Sequence, residues 1–141
     1  MNFSHQQRII ALWIVFLFGT VFHTQLALMP LLYGQSVAMA GAQGVMPEVH
    51  FWLMLGFFTL PMTAIAAVLF SEARPLRVAH LGLTVFYSAM NLVHVVSDLL
   101  VQPIVWAQIA LMLLVLGNGV LLNLSALRWY EAGARKPWRA L

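Results

Sequence analysis

Four runs of apolar residues, each about 20 residues or longer and joined by short polar connections, limit the fold of this chain more than any other feature. They extend over roughly 9–32, 51–70, 76–100 and 103–127, with an intervening loop at 33–50. At about 1.5 Å of rise per residue, each run is long enough as a helix to cross roughly 30 Å of hydrocarbon. Of the 141 residues, 62% are hydrophobic and 8% charged. A soluble domain carries about a quarter charged residues, so a water-facing surface cannot be assembled from this composition. The pattern predicts an all-α integral membrane protein: a single four-helix transmembrane domain over 1–141. Short connections make neighbouring helices antiparallel, which gives an up-down-up-down bundle. Pro61 is expected to kink the second helix. Pro103 is expected in the first turn of the fourth, where its missing N–H is harmless. Gly19, Gly56, Gly82, Gly117 and Gly119 are candidates for close helix approach.

The charges predict an orientation. Arg8 precedes the first run, Arg74 and Arg77 separate the second from the third, and Arg128, Arg135, Lys136 and Arg139 follow the fourth. Neither the 33–50 loop nor the turn around Gln102 contains a lysine or arginine. The positive-inside rule therefore places both termini in the cytoplasm and the 33–50 loop outside. Trp129, Tyr130 and Trp138 suit the inner headgroup belt, and Tyr33 and Trp52 the outer one. The first run is too long for the apolar part of a cleaved signal peptide and reads as a retained span. The small size and arginine-rich inner segments point to a bacterial inner membrane, with the lipid bilayer as the first partner.

Several function classes fall away. The net charge of +3 is explained by basic residues flanking the spans, and with no basic stripe nucleic acid is not an expected partner. The absence of cysteine excludes disulfides and thiolate metal sites. The only lysine, Lys136, lies outside every span, so a retinal Schiff base is not available. No Gly-rich nucleotide motif occurs, and four spans are few for a secondary transporter.

What remains is polar chemistry inside the apolar runs. The stretch MNLVHVVSDL, Met90 to Leu99, places Met90, His94 and Asp98 at i, i+4 and i+8 on one helix face, bordered by Tyr87 and Asn91. His23 near the end of the first span and His50 at the start of the second reach a similar level, with Glu48 beside His50. Ionisable residues in a span face a bundle interior or cavity and mark functional sites by default. His23, His50, His94 and Asp98, with Met54 and Met90 as soft neighbours, are the candidate metal ligands. Imidazole with thioether points to copper.

A single b-type haem with His94 and either His23 or His50 as axial ligands is the other cofactor reading, and quinone chemistry in the same outer pocket is a variant of it. His80 and His94 are fourteen residues apart, which resembles the two-haem ladder of cytochrome b proteins. An inner haem would need a second intramembrane histidine for His80, and the sequence offers none. A third reading dispenses with a cofactor and gives His94 and Asp98 a proton relay or acid–base chemistry. A fourth treats the polar residues, among them Gln108, Asn118 and Asn123, as interhelical bonds in a non-catalytic accessory or assembly subunit of a larger membrane complex, or in a homo-oligomer.

Overall fold

A computed structural model describes residues 3–38, 42 and 44–134. Met39, Arg135, Lys136, Trp138 and Arg139 lie outside the described residues. Four helices follow one another: α1 (His5–Leu28), α2 (Glu48–Phe70), α3 (Arg74–Leu100) and α4 (Trp106–Ala134). Each is long and apolar enough to cross a membrane, and no strand occurs among the described residues.

The ends of the helices follow local chemistry. The Ser4 hydroxyl accepts from the Gln7 N–H at 3.2 Å, and the Gln7 side-chain oxygen accepts from the Ser4 N–H at 2.9 Å. This reciprocal box satisfies two donors that the first turn of α1 would leave open. α1 tightens into a 3-10 turn over Met29–Tyr33, and Gly34 closes it at φ 71°, a conformation that favours glycine. Pro75 sits in the first turn of α3, where a proline loses no bond. The fourth helix differs from its expected bounds. It starts at Trp106, and Pro103 lies in the connection. The Val105 carbonyl takes the first bonds, from the N–H groups of Gln108 at 2.9 Å and Ile109 at 3.3 Å. At its other end α4 continues past Leu127 to Ala134, because Trp129 is buried there.

Burial follows three- and four-residue spacing, the period of one helix face. On α1 it takes in Ile9, Trp13, Phe16 and Thr20. On α3 it takes in Arg77, His80, Thr84, Tyr87, Asn91 and Val95. The buried face of α3 is thus mostly its polar face, and many of its apolar side chains, Val78, Val85, Phe86, Leu92, Val93 and Val96 among them, are about half exposed or more. Large apolar groups elsewhere are fully outside too: Phe70 is 85% exposed and Phe18 72%. In water, burying such groups would gain about 1.5–3 kcal/mol each, whereas hydrocarbon solvates them where they are.

α4 packs along both α1 and α3, whereas α2 rests on α1 and meets α3 only thinly. Gly19 brings α1 against Val115, and Gly119 brings α4 against Ser88. Gly56, Gly82 and Gly117, expected at close crossings, have open space where a side chain would stand. Polar side chains link the helices: the Asn118 amide donates to the Leu12 carbonyl at 2.9 Å, and the Asn123 amide to the Ser88 hydroxyl at 3.0 Å. Trp13, Phe16 and Tyr87 meet edge to face, with centroids 5.4–5.5 Å apart. Phe57 of α2 lies against Tyr87 at 5.1 Å. This aromatic floor divides the molecule into two halves with different contents.

Candidate metal centre

On one side of the floor, most polar groups are paired, although His80 Nδ1 is buried without a partner among the described residues. The Trp13 indole N–H donates to His80 Nε2 at 2.9 Å. Arg77 donates through Nη1 to the Trp129 carbonyl at 2.6 Å and through Nη2 to Glu72 at 3.2 Å, with its guanidinium 4.9 Å from the Trp129 ring. His80 is 2% exposed and its Nε2 lone pair is engaged by Trp13. Its part is structural: it accepts the one hydrogen bond that a buried indole needs.

On the other side, polar groups converge without being tied down. His94 and Asp98 stand one turn apart on α3, and α1 supplies His23 opposite them. The two Nε2 atoms are 3.1 Å apart, one ring N–H donating to the other nitrogen. Asp98 Oδ2 lies 3.5 Å from His23 Nε2 and 3.6 Å from His94 Nε2. One ligand atom from each residue therefore falls within 4.8 Å of the other two. Asp98 Oδ2 is buried and has no hydrogen-bond partner among the described residues, and the same holds for His23 Nδ1. A buried carboxylate oxygen without a partner is costly, and a cation between the three groups removes that cost. The triangle has the right size for one. At a tetrahedral ion with bonds of about 2.0–2.1 Å, neighbouring ligand atoms stand about 3.3 Å apart. A three-residue set of this kind leaves a coordination position free.

The other residues expected at the site are placed beside it. His50 and Met54 of α2 and Met90 of α3 line a cavity of about 660 Å³ that His23 and His94 also border. His50 does not join the triangle of His23, His94 and Asp98. Asp98 is not in the lining of that cavity but borders a smaller one of about 90 Å³, together with Gln108 and Pro103. The histidine–aspartate group thus stands between two spaces.

No protein-family model, curated protein or solved structure matches this chain.

The face of α3 turned to the bundle is not the one centred on Met90, His94 and Asp98. Its buried line runs through Tyr87, Asn91 and Val95, with Met90 and the His94 side chain at its edge, each close to half exposed. The physical reason is the packing of α4, which presses on α3 along the more polar series. Asn91, read from sequence as a bordering residue, is 5% exposed, lines the large cavity, and has no partner among the described residues for either side-chain polar atom. A signal for it existed: Arg77, His80, Thr84, Tyr87, Asn91 and Asp98 repeat at three, four or seven residues, which marks one continuous polar stripe.

Proposed function

We propose that this protein is an integral membrane protein that holds a single first-row transition-metal ion at His23, His94 and Asp98, in a redox-linked or metal-handling role. The observation that carries the reading is the triangle of 3.1, 3.5 and 3.6 Å formed by two imidazole nitrogens and one orphaned carboxylate oxygen. Copper is the preferred ion, since nitrogen and oxygen sites bind copper(II) most tightly in the divalent series and Met54 and Met90 lie nearby for the reduced ion. The spacing supports an ion over haem. Two axial imidazoles on one iron stand about 4 Å apart with a macrocycle between them, and here the rings are in direct contact. A bound ion would supply a Lewis-acidic or electron-accepting centre with one position open to a ligand.

With the basic segments cytoplasmic, the centre lies near the outer face of a bacterial inner membrane, within reach of the 33–50 loop. One further reading has an observation in its favour. The Asn118–Leu12 and Asn123–Ser88 bonds are interhelical links with no cavity attached, and the His23–His94 bond would be one more in an accessory subunit.

Metal analysis and optical spectra of the purified full-length protein decide between them. Near-stoichiometric copper without a Soret band, lost in both His23→Ala and His94→Ala while membrane insertion persists, is the expected result. Absence of any transition metal after reconstitution, or full retention of the ion by both variants, would leave the structural reading standing.

A further inference from the structure

The cavity beside the metal centre is amphipathic in an unusual way. Its walls are aromatic and aliphatic: Phe16 and Phe57 close its floor with Tyr87, and Phe86 and Trp52 flank it. Among the described residues, no aspartate, glutamate, lysine or arginine lines it. Its volume of about 660 Å³ suits a ligand of several hundred daltons rather than an ion or a water cluster. The thin contact between α2 and α3 leaves the space beside them unsealed, so a ligand can enter sideways from the hydrocarbon. Asn91 decides what kind of head the ligand carries. Its amide is nine-tenths or more buried, borders the cavity, and presents both a donor and an acceptor that nothing among the described residues satisfies. Leaving both unmade carries a desolvation cost, a cost that a ligand would remove.

We infer that the cavity binds an uncharged, membrane-soluble ring compound with oxygen substituents, of the quinone class, with Asn91 hydrogen-bonding its head. The aromatic walls receive a flat ring. The amide donates to a carbonyl oxygen and accepts from a hydroxyl, so it holds either redox form of such a head. Among the described residues the lining offers no lysine or arginine to hold a lipid carboxylate or phosphate, and its titratable groups are the imidazoles of His23, His50 and His94. The inference extends the metal reading by naming the ligand beside the ion. The chain itself makes the head contact, so the two readings fail separately.

The test uses the full-length protein in nanodiscs, a photoreactive azidobenzoquinone with a decyl tail, and mapping of the labelled residues by mass spectrometry. Labels are expected on cavity residues such as Trp52, Met54, Phe86 and Met90, displaced by decylubiquinone and not by equal decanol or decanoate. Asn91→Leu is expected to weaken displacement about tenfold while leaving the metal content unchanged, since one buried hydrogen-bonded head contact is lost. Gly56→Leu serves as the second variant. Gly56 lines the cavity and a Cβ there meets nothing within 4 Å, so a larger side chain starts in open space beside the ligand's volume. It is expected to weaken displacement by a similar factor in a protein that still folds. Labelling spread over the outward faces, equal displacement by decanol, or unchanged displacement in both variants would overturn the proposal. Cavity labelling that persists in a protein without bound metal would overturn the metal reading alone.

Discussion

The Tyr87 hydroxyl donates to the Phe57 carbonyl at 2.7 Å, and that carbonyl is the one Pro61, four residues later in α2, leaves without its helical partner. In hydrocarbon an unpaired backbone carbonyl is costly, so a proline within a span needs a donor from a neighbour. Here the donor comes from α3, across the thinnest helix contact in the molecule. The bond fixes the floor of the cavity at the one point where α2 and α3 are joined. Tyr87→Phe keeps the ring packing and removes only the donor. A loss of about 1–2 kcal/mol is expected, read as a lower midpoint in thermal unfolding of the detergent-solubilised protein. An unchanged midpoint would mean that Pro61 is satisfied in some other way.

Asn91 is expected to trade stability for binding. Both of its buried polar atoms lack partners among the described residues, so Asn91→Leu should stabilise the unliganded protein by about 1 kcal/mol. Thermal melts without added ligand check the sign. A destabilised variant would show that the amide is paired within the bundle.

His50 separates the cavity from the metal centre. It borders the former and is absent from the triangle of the latter. His50→Ala is expected to keep the full metal content, whereas Asp98→Asn is expected to lower metal affinity at least about tenfold by removing the anionic ligand. Isothermal titration with copper or zinc reads both. Loss of the ion in His50→Ala would move the centre toward α2.

Two glycines on different faces should respond oppositely to alanine. A methyl at Gly19 would collide with the fully buried, β-branched Val115, which has little freedom to turn away. Gly19→Ala is expected to destabilise by about 1–3 kcal/mol through overpacking. Gly56→Ala meets nothing and gains helix propensity, so it is expected to be neutral or stabilising by about 0.5–1 kcal/mol. Parallel unfolding curves of the two variants make the comparison.

Arg77 ties α3 to the end of α4 through the Trp129 carbonyl and ring while also reaching Glu72. Lysine has neither the planar fork nor the stacking face, so Arg77→Lys should not restore what Arg77→Ala loses. A loss of about 1.5–3 kcal/mol is expected for either, measured as above. Full rescue by lysine would reduce the residue's part to that of a charge near a headgroup.

The helices themselves were legible in the sequence, because their length and apolar content are properties of contiguous residues that no tertiary contact has to supply. The same holds for His94 and Asp98, since residues one turn apart on a helix must share a face. The boundaries were less legible. Pro103 reads as a helix start by local chemistry, yet the first bonds go to Val105. What local order could not supply was which face of each helix turns inward. In water the hydrophobic effect answers that question from sequence, but in hydrocarbon both faces are tolerated and packing decides. Gly19 against Val115 and Gly119 against Ser88 set how close α4 comes. That packing brings Asn91 inward, moves Met90 to the edge, and meets His23 with His94 at 3.1 Å. The sequence determined four membrane-length helices and the His94–Asp98 pair along one of them. The tertiary structure alone chose His23 as the partner of that pair and shaped the cavity beside it, because both depend on contacts between helices that are distant in the chain.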